Sequence, residues 1–194
     1  MHTVLLKYNA GNIQSVSYAL ERLAIDFEVT DNVEKIQSAD KVIFPGVGEA
    51  STTMNYLKDK KLDEVIKNLK QPVLGICLGM QLMCKASEEN NTTCLGIFDE
   101  TVKQFIPTKE NKVPHMGWNQ LTLTNSWPDR TAENSRVYFV HSYYVPVNAF
   151  TTAICNYTLP FSAAMKKDNF YAVQFHPEKS AKAGEQILKS FLDL

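Results

Sequence analysis

Cys77 stands between two glycines, in the run Gly75-Ile76-Cys77-Leu78-Gly79, at the end of the apolar stretch 72–76. The pattern small-x-nucleophile-x-small between a strand and a helix is that of a nucleophile elbow, with cysteine in place of serine. The turn is too sharp for flanking side chains, and it lifts the sulfur clear of the backbone. A helix start also offers free N–H groups that favour an anion. A free thiol, pKa about 8.5, is only a few per cent thiolate at neutral pH, so such help matters. The N–H of Leu78, next in the chain, is placed to receive an oxyanion. The alternative is a buried cysteine ending a strand in any α/β protein; the paired glycines favour the turn.

A thiol nucleophile needs a base. Of the four histidines, His2, His115, His141 and His176, the last has the best setting. It ends the strand-like run 171–175, and Glu178 follows two residues on. In extended chain, residues i and i+2 share a face, so Glu178 can hold one imidazole nitrogen while the other meets Cys77. That order is nucleophile, base, orienter. A second oxyanion donor is expected from "FPGVGEAS" (44–51), where Gly46 and Gly48 let backbone approach a ligand closely.

These groups need a scaffold. Strand-like runs at 3–8, 26–30, 41–44 and 72–76 alternate with helical periodicity at 13–23, 52–70 and 78–87. Such alternation predicts an α/β fold, an open, mostly parallel sheet with helices on both faces. The second half reads as short strands at 101–106, 119–124, 136–140, 151–157, 161–167 and 170–175, antiparallel additions to the same sheet. A last helix follows at 180–194, with Ser180 as its cap. No repeat or linker interrupts the chain, so residues 1–194 form one domain. Cys84, near the elbow's helical face, and Cys94 and Cys155 read as packing residues.

Composition excludes several classes. With 20 basic and 21 acidic residues the formal charge is −1, which offers nucleic acid no basic face. No run approaches the roughly 20 apolar residues of a membrane helix. The opening "MHTVLLKYNAGN" is too short in apolar residues for a signal peptide. Four cysteines without a C-x-x-C pair or a Cys/His ligand cluster speak against zinc and for a reduced, cytoplasmic setting.

Taken together, the "PGVG" loop, the "GICLGMQLM" elbow and the "FHPEKS" end resemble, in order and spacing along nearly the whole chain, the triad-type (class I) glutamine amidotransferases. Gly11-Asn12-x-x-Ser15, "PHMGWN" (114–119) and "YFVHSY" (138–143) narrow the resemblance to glutaminase subunits of imidazole glycerol phosphate synthase. The stretch "KYNAGN" (7–12) departs from relatives that carry an Asp and an extra glycine there. The resemblance implies a flavodoxin-like sheet and hydrolysis of L-glutamine to glutamate and ammonia through a thioester on Cys77, with His176 and Glu178 completing the triad. It implies oxyanion donors at Val47, Gly48 and Leu78, and substrate contacts at Gln81, Ser142 and Tyr143. The ammonia would pass to a (β/α)8-barrel cyclase in a heterodimer, with contacts at Asn12, Trp118 and Lys179. Trp118 reads equally as an interface anchor or a core residue, and His115 as structural. No metal or organic cofactor is implied. The alternatives are a peptidase or γ-glutamyl hydrolase on the same scaffold, a paralogue serving another synthase, and a non-catalytic regulatory subunit.

Overall fold

The computed structural model describes residues 2–9, 12–125 and 127–194. Ala10 and Gly11 of the 9–12 loop, and Ser126 of the loop at 125–135, lie outside the described residues. The first half runs β1 (Thr3–Leu6), α1 (Ile13–Arg22), β2 (Phe27–Thr30), α2 (Val33–Ser38), β3 (Lys41–Phe44), α3 (Ala50–Asp59), α4 (Leu62–Asn68), β4 (Val73–Ile76) and α5 (Leu78–Met83). The second half runs β5 (Cys84–Ser87), β6 (Thr92–Thr93), β7 (Phe98–Gln104), β8 (His115–Gln120), β9 (Thr122–Leu123), β10 (Arg136–His141), β11 (Tyr143–Tyr144), β12 (Thr151–Asn156), β13 (Pro160–Lys167), β14 (Phe170–Val173) and α6 (Ala181–Leu192).

The central sheet has the order β2-β1-β3-β4-β14-β13-β12-β9. Its first five strands are parallel, and the last three are added antiparallel. Strands β1, β3, β4 and β14 are buried along their whole length, as a parallel sheet covered on both faces requires. Leu5, Ile43, Leu74 and Ile76 pack with Val16 and Leu20 of α1 and Leu188 and Phe191 of α6. Val4, Leu6, Val42 and Phe44 face the other way, onto Ile36 of α2, Met54 and Leu57 of α3, and Ile66 of α4.

Four expectations change. The helix read at 78–87 stops at Met83, and Cys84–Ser87 becomes a strand. Its residues pair with β7, Cys84 opposite Phe98 and Ser87 opposite Val102, so tertiary pairing overrides helical periodicity. Nor do all the later strands join the central sheet. β8 and β10 form their own ribbon, and β11-β7-β5-β6 form a third sheet. β14, read as an antiparallel addition, pairs in parallel with β4 instead. Finally, Ser180 precedes α6 without capping it; its hydroxyl donates to the His176 carbonyl at 2.6 Å and accepts from Tyr138 N at 2.9 Å. The helical stretch 52–70 divides into α3 and α4 at Lys61, whose φ is 57°, and α2 is an element the periodicity did not reveal.

Helix α6 seats directly on the turn that follows β14. A Cβ built on Gly184 would fall 1.9 Å from the Pro177 carbonyl oxygen, so helix and turn touch backbone to backbone. Gly184→Ala must push that turn outward. Overpacking of this kind costs about 1–3 kcal/mol, to be read as a lower urea midpoint at unchanged slope. An unchanged midpoint would show that the contact is not tight.

Candidate active site

Strand β4 ends at Ile76, and Cys77 turns the chain into α5 with φ 52° and ψ −107°, a conformation that costs a non-glycine residue about 1–3 kcal/mol. The turn is held by the Cys77 N–H, which donates to the Val173 carbonyl at 2.7 Å, and by Gln81 N, which donates to the Cys77 carbonyl at 3.2 Å. The glycines explain themselves by clearance. A Cβ on Gly79 would lie 2.1 Å from the Phe44 carbonyl oxygen, and one on Gly75 2.9 Å from the Gly79 backbone. Gly46 serves this packing too, not ligand approach: its Cβ would meet Gly79 N at 2.5 Å. Gly48, at φ 131°, is the glycine of that loop that faces the cavity.

His176 follows the end of β14, fully buried, with its N–H donating to the Tyr138 carbonyl at 2.9 Å. Its Nδ1 lies 2.7 Å from Glu178 Oε1. The contact is made across a 3-10 turn, Pro177–Lys179, rather than along extended chain as the spacing suggested. Asn12, expected at a partner interface, donates through Nδ2 to the same Glu178 oxygen and lies 3.4 Å from His176 Nδ1. His176 Nε2 is buried without a formed hydrogen bond. Burial opposes the imidazolium, but Cys77 and Glu178 outweigh it and raise the His176 pKa to about 10.

A cavity of about 230 Å³ opens over Cys77, room for a small molecule where a water claims roughly 30 Å³. Val47, Gly48, Leu78, Gln81, Ser142 and Tyr143 all line it, so the expected oxyanion and substrate residues converge. Glu89, Val140 and His141, none assigned a role from sequence, line it as well, and so does Pro114, which opens the "PHMGWN" segment expected to face the partner. Glu89 stands out: its Oε2 accepts from Ala50 N at 2.8 Å, and burial, opposed by that bond and aided by Glu49, raises its pKa. Gln174, fully buried, donates to Cys77 Sγ at 3.6 Å. Tyr8 donates to the Pro45 carbonyl, and burial and then Cys77 push its phenol far up. A polar Gln ending an apolar strand was the one available signal for Gln174; Glu89, in a turn of polar residues, had none.

The remaining cysteines are free and buried. Burial pushes Cys94 and Cys155 each up to about 12 and raises Cys84 well above the ordinary thiol value. His115 is buried between the Phe139 and Tyr157 rings. Trp118 is not core: it is 46% exposed on β8, beside Met116 at 62%. Lys179 is exposed on the turn after His176. Among the described residues, no three His, Cys, Asp or Glu are grouped to hold a metal ion, and no helix is long and apolar enough to cross a membrane.

Known proteins share this arrangement at two levels. Solved structures share the fold: a putative GMP synthase component from Thermoplasma acidophilum, TM-score 0.74 at 19% identity, covers 100% of this chain and 93% of its own. PurLQS from Thermotoga maritima gives 0.72 at 14%, covering 99% and 97%. In sequence, "Imidazole glycerol phosphate synthase subunit HisH" of Bacteroides thetaiotaomicron is 63% identical over 100% of both chains. The protein of the same name in Shewanella loihica is 47% identical over 99% of this chain and 90% of its own. Residues 4–194 match the model of the family "Glutamine amidotransferase class-I". With that match and these full-length relatives, the chain belongs to the class I glutamine amidotransferases, among the HisH subunits of imidazole glycerol phosphate synthase.

Proposed function

We propose that this chain hydrolyses L-glutamine and delivers the ammonia to a (β/α)8-barrel cyclase, which uses it to form imidazole glycerol phosphate and aminoimidazole carboxamide ribotide in histidine biosynthesis. What carries the reading is one cavity lined by Cys77 and the glycine-loop residues Val47 and Gly48, together with a buried His176–Glu178 pair whose imidazole interacts with Cys77. The Cys77 thiolate attacks the side-chain amide carbon of glutamine. The N–H groups of Leu78 and of the Val47–Gly48 turn receive the oxyanion, each such donor being typically worth about 3–4 kcal/mol of barrier. His176 gives its proton to the departing nitrogen, ammonia leaves, and a thioester remains. Water, losing a proton to His176, then releases glutamate and regenerates the thiolate.

At the amino-acid end, the Glu89 carboxylate supplies the charge that an α-ammonium needs, beside Gln81 and the Ser142–Tyr143 backbone. The exposed Met116 and Trp118 on β8, with Lys179, provide the surface for the cyclase. Full-length identity to HisH subunits supports this partner over another synthase or a non-catalytic role. Four free cysteines fit a reducing cytoplasm.

Three substitutions test the reading. With the cyclase present, Cys77→Ala should lower glutamine-dependent synthesis by about 10³-fold or more, while synthesis from ammonium salt at pH 8–9 continues. Loss of both in a folded complex would put Cys77 in the synthase step and end the two-subunit reading. Glu178→Gln should cut glutaminase turnover by about 10²–10⁴-fold. Because His176 is raised from 6.5 to about 10 in the fold, its pairing stabilises the protein fully below pH about 6.5 and ceases to as pH rises through 10. The variant should therefore be more destabilised at pH 6 than at pH 10.5; equal melting shifts would count against the pairing. Glu89→Gln, which keeps an acceptor for Ala50, should raise the KM for glutamine roughly tenfold, the loss of one charge-assisted bond, with kcat changed much less.

A further inference from the structure

Two of the histidines that the proposed reaction does not use face each other across the β8–β10 ribbon, His141 opposite His115. Both are buried, and His115 Nδ1 lies 3.0 Å from His141 Nε2. The directions of the neighbouring bonds are fixed by chemistry. His141 Nδ1 lies 2.7 Å from the Tyr143 carbonyl oxygen, which can only accept, so His141 carries its proton on Nδ1. Its Nε2, unprotonated in a neutral ring, must then accept from His115 Nδ1. That leaves His115 Nε2 as an acceptor, and the group facing it is a donor, Asn119 Nδ2, at 3.4 Å. One protonation pattern satisfies every contact: both rings neutral, both with the proton on Nδ1.

The hydrogen bonds continue beyond Tyr143. Gln81 Nε2 donates to the same carbonyl oxygen at 3.0 Å and to Gln174 Oε1 at 3.0 Å. Gln174 Nε2 in turn donates to Cys77 Sγ at 3.6 Å. The Tyr143 oxygen thus has both lone pairs taken, and Gln81 has both amide hydrogens taken. What Gln81 retains is its carbonyl oxygen, an acceptor, in the wall of the cavity.

We propose that His115 and His141 are positioning residues: as a neutral, same-tautomer pair they anchor the Tyr143 carbonyl and thereby set Gln81 to present an acceptor, not a donor, to the ammonium end of the substrate. Were either ring to carry a second proton, two donors would face each other, at His141 against His115 or at His115 against Asn119. The surroundings keep the pair neutral. The Phe105, Phe139, Tyr157 and Phe161 rings enclose it, and charge on His115, then on His176, acts further against a charge on His141. Burial lowers His115 to about 4 and, with that help and against the Tyr143 bond, lowers His141 to about 3.

This deepens the glutaminase reading and rests on it for its kinetic arm only. Imidazole ¹⁵N NMR of the wild-type chain should show both rings neutral and protonated on Nδ1 from pH 8 to pH 5. A proton on Nε2 of either ring, or titration of either within that range, overturns the proposal whatever the variants do. In the complex with the cyclase, His115→Phe keeps a stacked ring and removes the donor. Its KM for glutamine should rise at least fivefold, with ammonium-supported synthesis unchanged. His115→Asn keeps a donor near the Nδ1 position and loses the ring, so it should melt lower yet hold KM within about twofold. A normal KM in His115→Phe, or equal KM defects in the two variants at equal folded fraction, overturns the proposal and leaves the pair as packing. A wild-type complex that hydrolyses no glutamine would instead defeat the glutaminase reading, and the NMR result would stand apart from it.

Discussion

Strand β14 lies parallel to β4, with Val173 opposite Ile76, and the Val173 carbonyl takes the Cys77 N–H at 2.7 Å. Parallel neighbours end on the same edge of a sheet, so this pairing brings the thiol and the imidazole together from distant parts of the chain. Had β14 run antiparallel to β4, His176 would have emerged at the opposite edge. The register matters as much as the direction. Gln174 falls beside Cys77, His176 two residues beyond, and the 3-10 turn then returns Glu178 to His176 Nδ1.

Everything near that edge is packed at backbone distance. Phe44, Gly46, Gly75 and Gly79 meet with no room for a side chain at the three glycines, and Gly184 gives α6 the same access to Pro177. This density lets a non-glycine residue hold φ 52° at Cys77: the strain is spread against several fixed backbone contacts, and relaxing it would break them. Glycine here is chosen for closeness more than for freedom of φ.

The parts of this arrangement that were legible in sequence are those written in local chemistry. The elbow announces itself by its glycine spacing, the His176–Glu178 pair by two residues of separation, and the first parallel strands by apolar runs divided by helical periods. Illegible were the features set by remote partners. Cys84–Ser87 follows a helical pattern but is claimed as strand by β7. Glu89 faces the cavity because β5 and β6 turn there, and nothing in "EENN" marks it. Asn12 was read only as a partner contact, and nothing local marks its amide's bond to Glu178, a contact spanning 166 residues. His115 was read as structural and lies buried between the Phe139 and Tyr157 rings, but residue type alone does not specify which of its nitrogens holds the proton.

The position of β14 in the sheet also bears on how the molecule is made. It is an interior strand, lying between β4 and β13, yet Gln174 follows Cys77 by 97 residues. On a ribosome adding about 5–20 residues per second, Cys77 leaves the exit tunnel seconds before His176. During that interval the β4 edge has no neighbour on one side, and the elbow lacks the Val173 carbonyl that holds its strained turn. A nascent chain therefore carries a cysteine but not yet a hydrolase. Under the proposed function, glutamine hydrolysis would wait until the late strand slots into the middle of the sheet, so that the completed fold is its own licence to act.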